Sequence, residues 1–322
     1  MHWLAELDGR RISVEIPASS ANLGAGYDCI GLALSMVDRI DVEVRGWSRG
    51  TIELTVEGEG AGELPEDGSN CFVGGLQAVL EEARGPLPDG VGWRIHMHNE
   101  IPLARGLGSS AAATVGGLLA GNTLLGEPLT DADLLRLATR LEGHPDNAAA
   151  ALLGGFTVAA RLDDDPDGPV EALRFDVPRD LRAVLFIPEL RLSTAAMRDA
   201  LPASVPLGDA VANIGRAALG VAGLAIGRHD LLRALTLDRI HEPYRAAVYP
   251  ALPLFVAAAR EAGAIGACLS GSGSTVLAFA DSVATFTRIE AAYAAVAADQ
   301  DLAGRIDVVM PRNIGARVIG RS

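Results

Sequence analysis

Residues 101–113 read Ile-Pro-Leu-Ala-Arg-Gly-Leu-Gly-Ser-Ser-Ala-Ala-Ala, and here the periodicity of the chain changes. Before this stretch, residues 12–16, 40–44, 52–56 and 93–97 alternate apolar and polar side chains, as half-buried antiparallel strands do. After Gly108 the spacing is helical through about Asn122. A second helix is marked by Thr130 as N-cap, has Asp131 and Asp133 in its first turn, and runs to Glu142. Strands followed by helices predict an α+β fold.

The junction also carries chemistry. A helix N-terminus presents unpaired N–H groups and about half a positive charge, and Gly106 and Gly108 let backbone approach an anion closely. The expected ligand is a phosphate. Glycine accounts for 37 of 322 residues, so an ordinary serine-capped turn is the alternative reading of this loop taken alone.

The length fits about two domains of roughly 100–200 residues each. With 27 basic against 41 acidic residues the formal charge is −14, which repels nucleic acid at long range. All 27 basic residues are arginine. A chain without lysine has no Walker A lysine, no protein-kinase strand lysine and no Schiff base to pyridoxal phosphate. Cys29, Cys71 and Cys268 have no paired spacing, so neither a disulfide framework nor a zinc site is expected, and all three read as buried small hydrophobes. His96 and His98 share a strand face without a third ligand nearby and read as an exposed polar face.

The first eleven residues carry Glu6, Asp8, Arg10 and Arg11 and no apolar run, so a cytoplasmic location without a signal peptide is expected. The apolar stretches at 111–126 and 217–227 fall short of the roughly 18 residues of a spanning helix, so no membrane partner is expected either. Residues 163–169, Asp-Asp-Asp-Pro-Asp-Gly-Pro, are the strongest boundary signal and divide the chain into 1–162 and 163–322. Beyond them the pattern predicts a strand at 183–187, a helical region from Ser193 to about Gly263, then strand, glycine loop, strand, helix and a final strand at 306–310.

Two more segments accompany the phosphate-type loop. Pro17-Ala18-Ser19-Ser20-Ala21-Asn22-Leu23-Gly24-Ala25-Gly26-Tyr27-Asp28 follows the first strand, and Leu269-Ser270-Gly271-Ser272-Gly273-Ser274-Thr275 lies between two apolar runs. In this order and at these separations the three segments resemble the motifs of the GHMP kinases, over most of the chain. Within that family the similarity is to the homoserine kinase branch, whose first motif runs Pro-Ala-Thr-Ser-Ala-Asn-Leu-Gly-Pro-Gly-Phe-Asp. Glu142-Gly143-His144-Pro145-Asp146-Asn147 followed by Ala151-Leu152-Leu153-Gly154-Gly155 resembles another segment of that branch. Ser19, Ala25, Tyr27 and Ser274 are mild departures. Mevalonate and galactose relatives usually carry a lysine in the first motif, and this chain has none.

The resemblance implies a two-domain fold: an N-terminal ribosomal-protein-S5-domain-2-like domain that binds ATP and a C-terminal ferredoxin-like α/β domain, commonly assembled as a homodimer. It implies an ATP-dependent kinase for the side-chain hydroxyl of L-homoserine, on the route to threonine. Pro102, Leu103, Ala104, Arg105, Gly106, Leu107, Gly108, Ser109, Ser110, Ala111 and Ala112 would wrap the ATP phosphates, with Ser110 and Glu142 on Mg²⁺. Asp28 would take the ammonium group, Arg198 and Arg245 the carboxylate, and Asn22 and Asn147 the hydroxyl. His144 reads as a hydrogen-bonding shaper of its loop, and a base role for the neighbouring Asp146 stays open. Thr194, Asn213 and the 270–275 loop are expected to support the site. Two alternatives remain at this point. A mevalonate or sugar kinase would leave Asp28 without its cationic partner, and a non-catalytic nucleotide or amino-acid sensor would have no need of both Ser110 and Glu142.

Overall fold

The computed structural model describes residues 6–45, 51–85 and 91–322; the first five residues of the stretch read for a signal peptide lie outside them. The long antiparallel pair β1 (Arg11–Ala21) and β2 (Ile30–Val44) is followed by β3 (Ile52–Gly58), α1 (Cys71–Arg84), β4 (Trp93–Asn99), α2 (Ser109–Leu124), α3 (Asp131–Glu142), α4 (Asp146–Leu153) and the hairpin β5 (Phe156–Arg161) and β6 (Val170–Phe175). The remainder runs β7 (Arg182–Pro188), α5 (Thr194–Asp199), α6 (Leu207–Ala225), α7 (Leu232–Leu235), α8 (Glu242–Arg245), α9 (Leu252–Glu261), β8 (Gly266–Leu269), β9 (Val276–Ala280), α10 (Val283–Asp299), β10 (Gly304–Val309) and β11 (Arg317–Arg321).

The first sheet has the order β11-β1-β2-β4-β3, with β5 paired to the start of β2 and β6 to β5. Among the described residues only β3 and β4 run parallel within it. The second sheet, β10-β7-β9-β8, is antiparallel throughout and has the strand order of a ferredoxin-like βαββαβ unit. The expected α+β architecture of two such domains is therefore what the chain adopts.

Helix α2 is the axis of the first domain. Twelve of its residues are buried, on every face, because Gly and Ala let its neighbours come close. Gly117 lies against the Phe72 carbonyl of α1, and Gly75 of α1 lies against the Thr114 carbonyl, so a Cβ at either would collide with backbone. The buried helix points its N-terminus, and the loop before it, at the junction of the two domains. The loop's start is tied down by Asp38 of β2, which accepts hydrogen bonds from Glu100 N (2.8 Å) and Ile101 N (3.0 Å).

The structure corrects three expectations. Residues 17–21 of the first motif continue β1 rather than forming loop. The 163–169 segment is the turn of the β5–β6 hairpin, with Arg161 paired to Val170, so the division at 162/163 does not hold. Asp, Pro and Gly serve a hairpin turn as well as a linker, and composition does not separate the two. The first sheet continues to Phe175, the second opens at Arg182, and the last strand, β11, returns to pair with β1. Finally, Cys71 is exposed, while Cys29 is half-buried and Cys268 buried.

Candidate active site

A cleft of about 580 Å³ opens where the three glycine-bearing segments meet. Contacts between them hold it open. Ser19 N donates to Leu107 O (3.0 Å) and Ser19 Oγ to Asn147 Oδ1 (2.9 Å). Ser270 Oγ lies 2.7 Å from Gly106 O and 2.8 Å from Ser20 Oγ, Gly271 N donates to Ala21 O (3.0 Å), and Thr275 N to Arg105 O (3.1 Å). Gly106 is in the left-handed region at φ 72°, and a Cβ there would strike the Ser270 carbonyl.

At its mouth, α2 starts from Gly108, also left-handed at φ 73°, and among the described residues no side chain caps it. Its first N–H groups are therefore available to an anion. The side chain of Arg105 turns away, donating to the carbonyls of Leu103 (3.0 Å), Pro188 (2.6 Å) and Glu189 (2.7 Å), so it joins the loop to the end of β7. Any part it has at the phosphates is through backbone.

Oxygen donors cluster beside this helix start. Ser110 and Thr114 lie one turn apart on α2 and both donate to Glu142 Oε1, at 3.0 and 2.7 Å. Glu142 is the last residue of α3, which has the Thr130/Asp133 capping box and ends at left-handed Gly143, φ 86°. Hydroxyl and carboxylate oxygens of this kind are the hard donors that suit Mg²⁺. Thr114 was not singled out by sequence, although its spacing of four from Ser110 was a readable signal.

On the opposite wall, Asn22, Leu23 and Asp28 all have positive φ (67°, 48° and 55°), a concentration of backbone strain in the first motif. Both ends of the Asn22 amide are engaged: Oδ1 accepts from Asp28 N (2.9 Å) and Nδ2 donates to Gly271 O (2.9 Å). The carboxylate of Asp28 is gripped by Arg198 on α5 through two hydrogen bonds of 2.9 and 3.0 Å. Arg245 on α8 is 2% exposed and has no carboxylate within ion-pair distance among the described residues. Its Nη1 donates to Gly271 O (3.1 Å) and its Nε lies 3.3 Å from Met197 O. The Tyr27 ring lies beneath both guanidinium groups, 5.7 Å from Arg198 and 5.5 Å from Arg245. The first motif's aromatic position was read only as a variation, whereas here it forms a platform.

At the floor, His144 Nδ1 lies 2.7 Å from Asp146 Oδ1, which also accepts from Asn147 N (2.7 Å). The hydrogen bond to Asp146 raises the His144 pKa above its ordinary value. Asp146 is 1% exposed, both contacts fall on its Oδ1, and it lines the cleft. Thr194 lies at the cleft edge, its Oγ1 3.2 Å from Ser272 Oγ. His96 and His98 stand outside the site, each within 4 Å of Glu57.

This fold and this cleft define a small-molecule kinase: the family model for the GHMP kinases N terminal domain matches residues 70–155, and that for GHMP kinases C terminal matches 221–300. The chain belongs to the GHMP kinases. Within them it belongs with the homoserine kinases. It is 42% identical over 308 residues to the homoserine kinase of Moorella thermoacetica, covering 95% of this chain and 99% of the relative. It is 43% identical over 272 residues to that of Corynebacterium efficiens, covering 84% and 85%. The crystal structure of homoserine kinase from Cytophaga hutchinsonii superposes with a TM-score of 0.83 at 30% identity, over 96% of this chain and 97% of the other.

Proposed function

We propose that this member of the homoserine kinases transfers the γ-phosphate of ATP to the side-chain hydroxyl of L-homoserine, giving O-phospho-L-homoserine for threonine synthesis. The observation that carries the reading is the wall opposite the phosphate loop, which sets a carboxylate, Asp28, beside two guanidinium groups, Arg198 and Arg245. That arrangement suits a zwitterion, with the ammonium group on Asp28 and the carboxylate on the arginines. A mevalonate or a sugar has no cation for Asp28.

The uncapped start of α2 and the backbone of 102–112 receive the triphosphate, and Ser110, Thr114 and Glu142 are placed to hold Mg²⁺, which would neutralise charge on the phosphate oxygens. Asn147 and Asn22 orient the hydroxyl from the floor and wall. Both contacts to Asp146, from His144 and Asn147 N, fall on its Oδ1, and catalysis on this reading rests on positioning and charge stabilisation by the α2 N–H groups, which Asp146→Asn tests. The hydroxyl proton then leaves late, to phosphate or solvent, in a loose transition state.

A homodimer is supported by α6, where Leu207, Val211, Ile214 and Leu219 are 53% or more exposed on one side of the helix. Mass measured in solution for wild type and Ile214→Glu checks this: a wild-type monomer rejects it. Three unpaired thiols suit a reducing cytoplasm.

The test is ADP release with Mg-ATP and, in separate wells, L-homoserine, L-threonine, L-serine, mevalonate and galactose. Release that depends on homoserine and is greatly weakened in Asp28→Asn is expected. Turnover of mevalonate or galactose in place of homoserine would overturn the substrate.

A further inference from the structure

Behind the cleft, a buried polar cluster ties Arg245 to the first motif. The centre of it is His241, whose surface is entirely buried. One ring nitrogen, Nε2, is 2.7 Å from the Gly24 carbonyl, and the other, Nδ1, is 3.1 Å from Arg245 Nη1. A carbonyl only accepts and a guanidinium only donates, so the ring carries its proton on Nε2 and offers a lone pair at Nδ1. Burial favours the same neutral form, lowering the His241 pKa well below the usual histidine range.

The segment that carries His241 is held as firmly. The buried carboxylate of Asp238 accepts from His241 N (2.8 Å), Glu242 N (2.7 Å), Ile240 N (3.2 Å) and Asn213 Nδ2 (2.6 Å). Asn213 in turn accepts from Arg239 N at 3.0 Å. The Tyr27 ring packs against the imidazole with centroids 5.2 Å apart. Within the guanidinium of Arg245, Nη1 and Nε are used by His241, Gly271 O and Met197 O. Among the described residues Nη2 has no hydrogen-bond partner, and Arg245 lines the cleft.

We propose that His241 is a positioning residue: its neutral ring sets the Arg245 guanidinium so that the Nη2 edge faces the substrate carboxylate. Through Gly24 the same ring fixes Arg245 relative to the loop that carries Asp28. The distance between the two receptors, and hence the preference for an α-amino acid, follows from it. This inference rests on the reading that the cleft takes L-homoserine.

Two amide substitutions separate the two bonds of the ring. His241→Asn keeps an acceptor at the Nδ1 position and loses the donor to Gly24, whereas His241→Gln keeps that donor and loses the acceptor for Arg245. Steady-state kinetics are measured for both with L-homoserine, and with 3-amino-1-propanol, which is homoserine without its carboxylate. His241→Gln is expected to raise the homoserine KM about tenfold or more, with KM for ATP unchanged and no effect toward 3-amino-1-propanol. His241→Asn, which keeps the acceptor for Arg245 but loses the tie to Gly24, is expected to raise the homoserine KM by a clearly smaller factor, about threefold. An equal loss in both variants, a parallel rise in KM for ATP, or a loss that persists with 3-amino-1-propanol means a merely structural role and overturns the proposal. Wild type that uses the two substrates alike would overturn the carboxylate reading itself, a result separable from failure of the positioning role. Should the Gln variant not fold, the ¹⁵N spectrum of histidine-labelled wild type decides: a neutral Nε2–H ring at His241 supports the proposal, and an Nδ1–H ring or an imidazolium overturns it.

Discussion

Asp28 and Arg198, 170 residues apart, hold each other through two parallel hydrogen bonds of 2.9 and 3.0 Å across the wall of the cleft. These are the groups expected to receive opposite ends of the substrate. A zwitterion therefore exchanges one internal ion pair for two external ones, while a substrate bearing only one charge leaves one partner uncompensated. Asp28→Asn should raise the homoserine KM about 10–100-fold, the worth of a hydrogen bond to a charged group, and leave KM for ATP unchanged. Because the two side chains interact, Asp28→Asn combined with Arg198→Gln should lose less than the sum of the single losses. Additive losses in that double-mutant cycle would mean that the pair is not formed in solution.

His144 and Asp146 give a pH-dependent contribution whose sign follows from the direction of the shift. The hydrogen bond to Asp146 raises the His144 pKa in the folded state above its ordinary 6.5. The stabilisation is therefore fully present below about pH 6.5 and is lost as pH rises through the higher folded value. Thermal melts should show His144→Gln less stable than wild type at pH 6 and nearly equal at pH 9. Asp146→Asn should keep near-normal turnover if no base is needed there; a loss of several orders of magnitude in a folded variant would make Asp146 the base.

Cys71 opens α1 on the rim of the cleft, with its Sγ 3.5 Å from Ser110 Oγ. Cys29 is half-buried and burial pushes its thiol up to about 11, while Cys268 is fully buried. A maleimide should therefore label Cys71 first, as read by peptide mass, and Mg-ATP should slow the labelling. Prior labelling of Cys29 would contradict the exposure of Cys71, and no protection by nucleotide would contradict the placement of the triphosphate.

Gly106 and Gly117 test the loop and its supporting helix separately. Gly106→Ala forces a Cβ against Ser270 O at φ 72° and should raise KM for ATP several-fold, because the loop backbone must move. Gly117→Ala forces α1 and α2 apart at the Phe72 carbonyl and should cost about 1–3 kcal/mol of stability by chemical denaturation. Its folded fraction should retain a normal KM for ATP.

How far the site was legible in the sequence varies with the range of the signal. Local signals transferred well: Thr130 as N-cap, with Asp131 and Asp133 in the first turn and an end at Glu142, gave α3 to the residue. The change of period at Gly108 placed the start of α2, and residues from all three motifs line one cleft, although the side-chain hydrogen bonds of Arg105 run to the end of β7. Non-local choices were not legible. The Asp-rich turn at 163–169 has the composition of a linker and of a hairpin turn, and only pairing of β5 with β6 decides. Strand β11 is short, and its place beside β1 depends on a partner some 300 residues away.

The sequence by itself determined the class of chemistry. The absence of lysine ruled out whole groups of phosphate sites, and glycines before a helix start left backbone N–H groups to do the work that a lysine does elsewhere. It also named the carboxylate, the arginines and the amides that belong together. Only the tertiary structure decided how they are paired: Asp28 with Arg198, Asn22 with Gly271, Asn147 with Ser19. The reason is physical. Motifs record which groups a site contains through local spacing, whereas hydrogen-bond partners and burial arise from the approach of segments far apart in the chain, which packing of the two domains alone brings about.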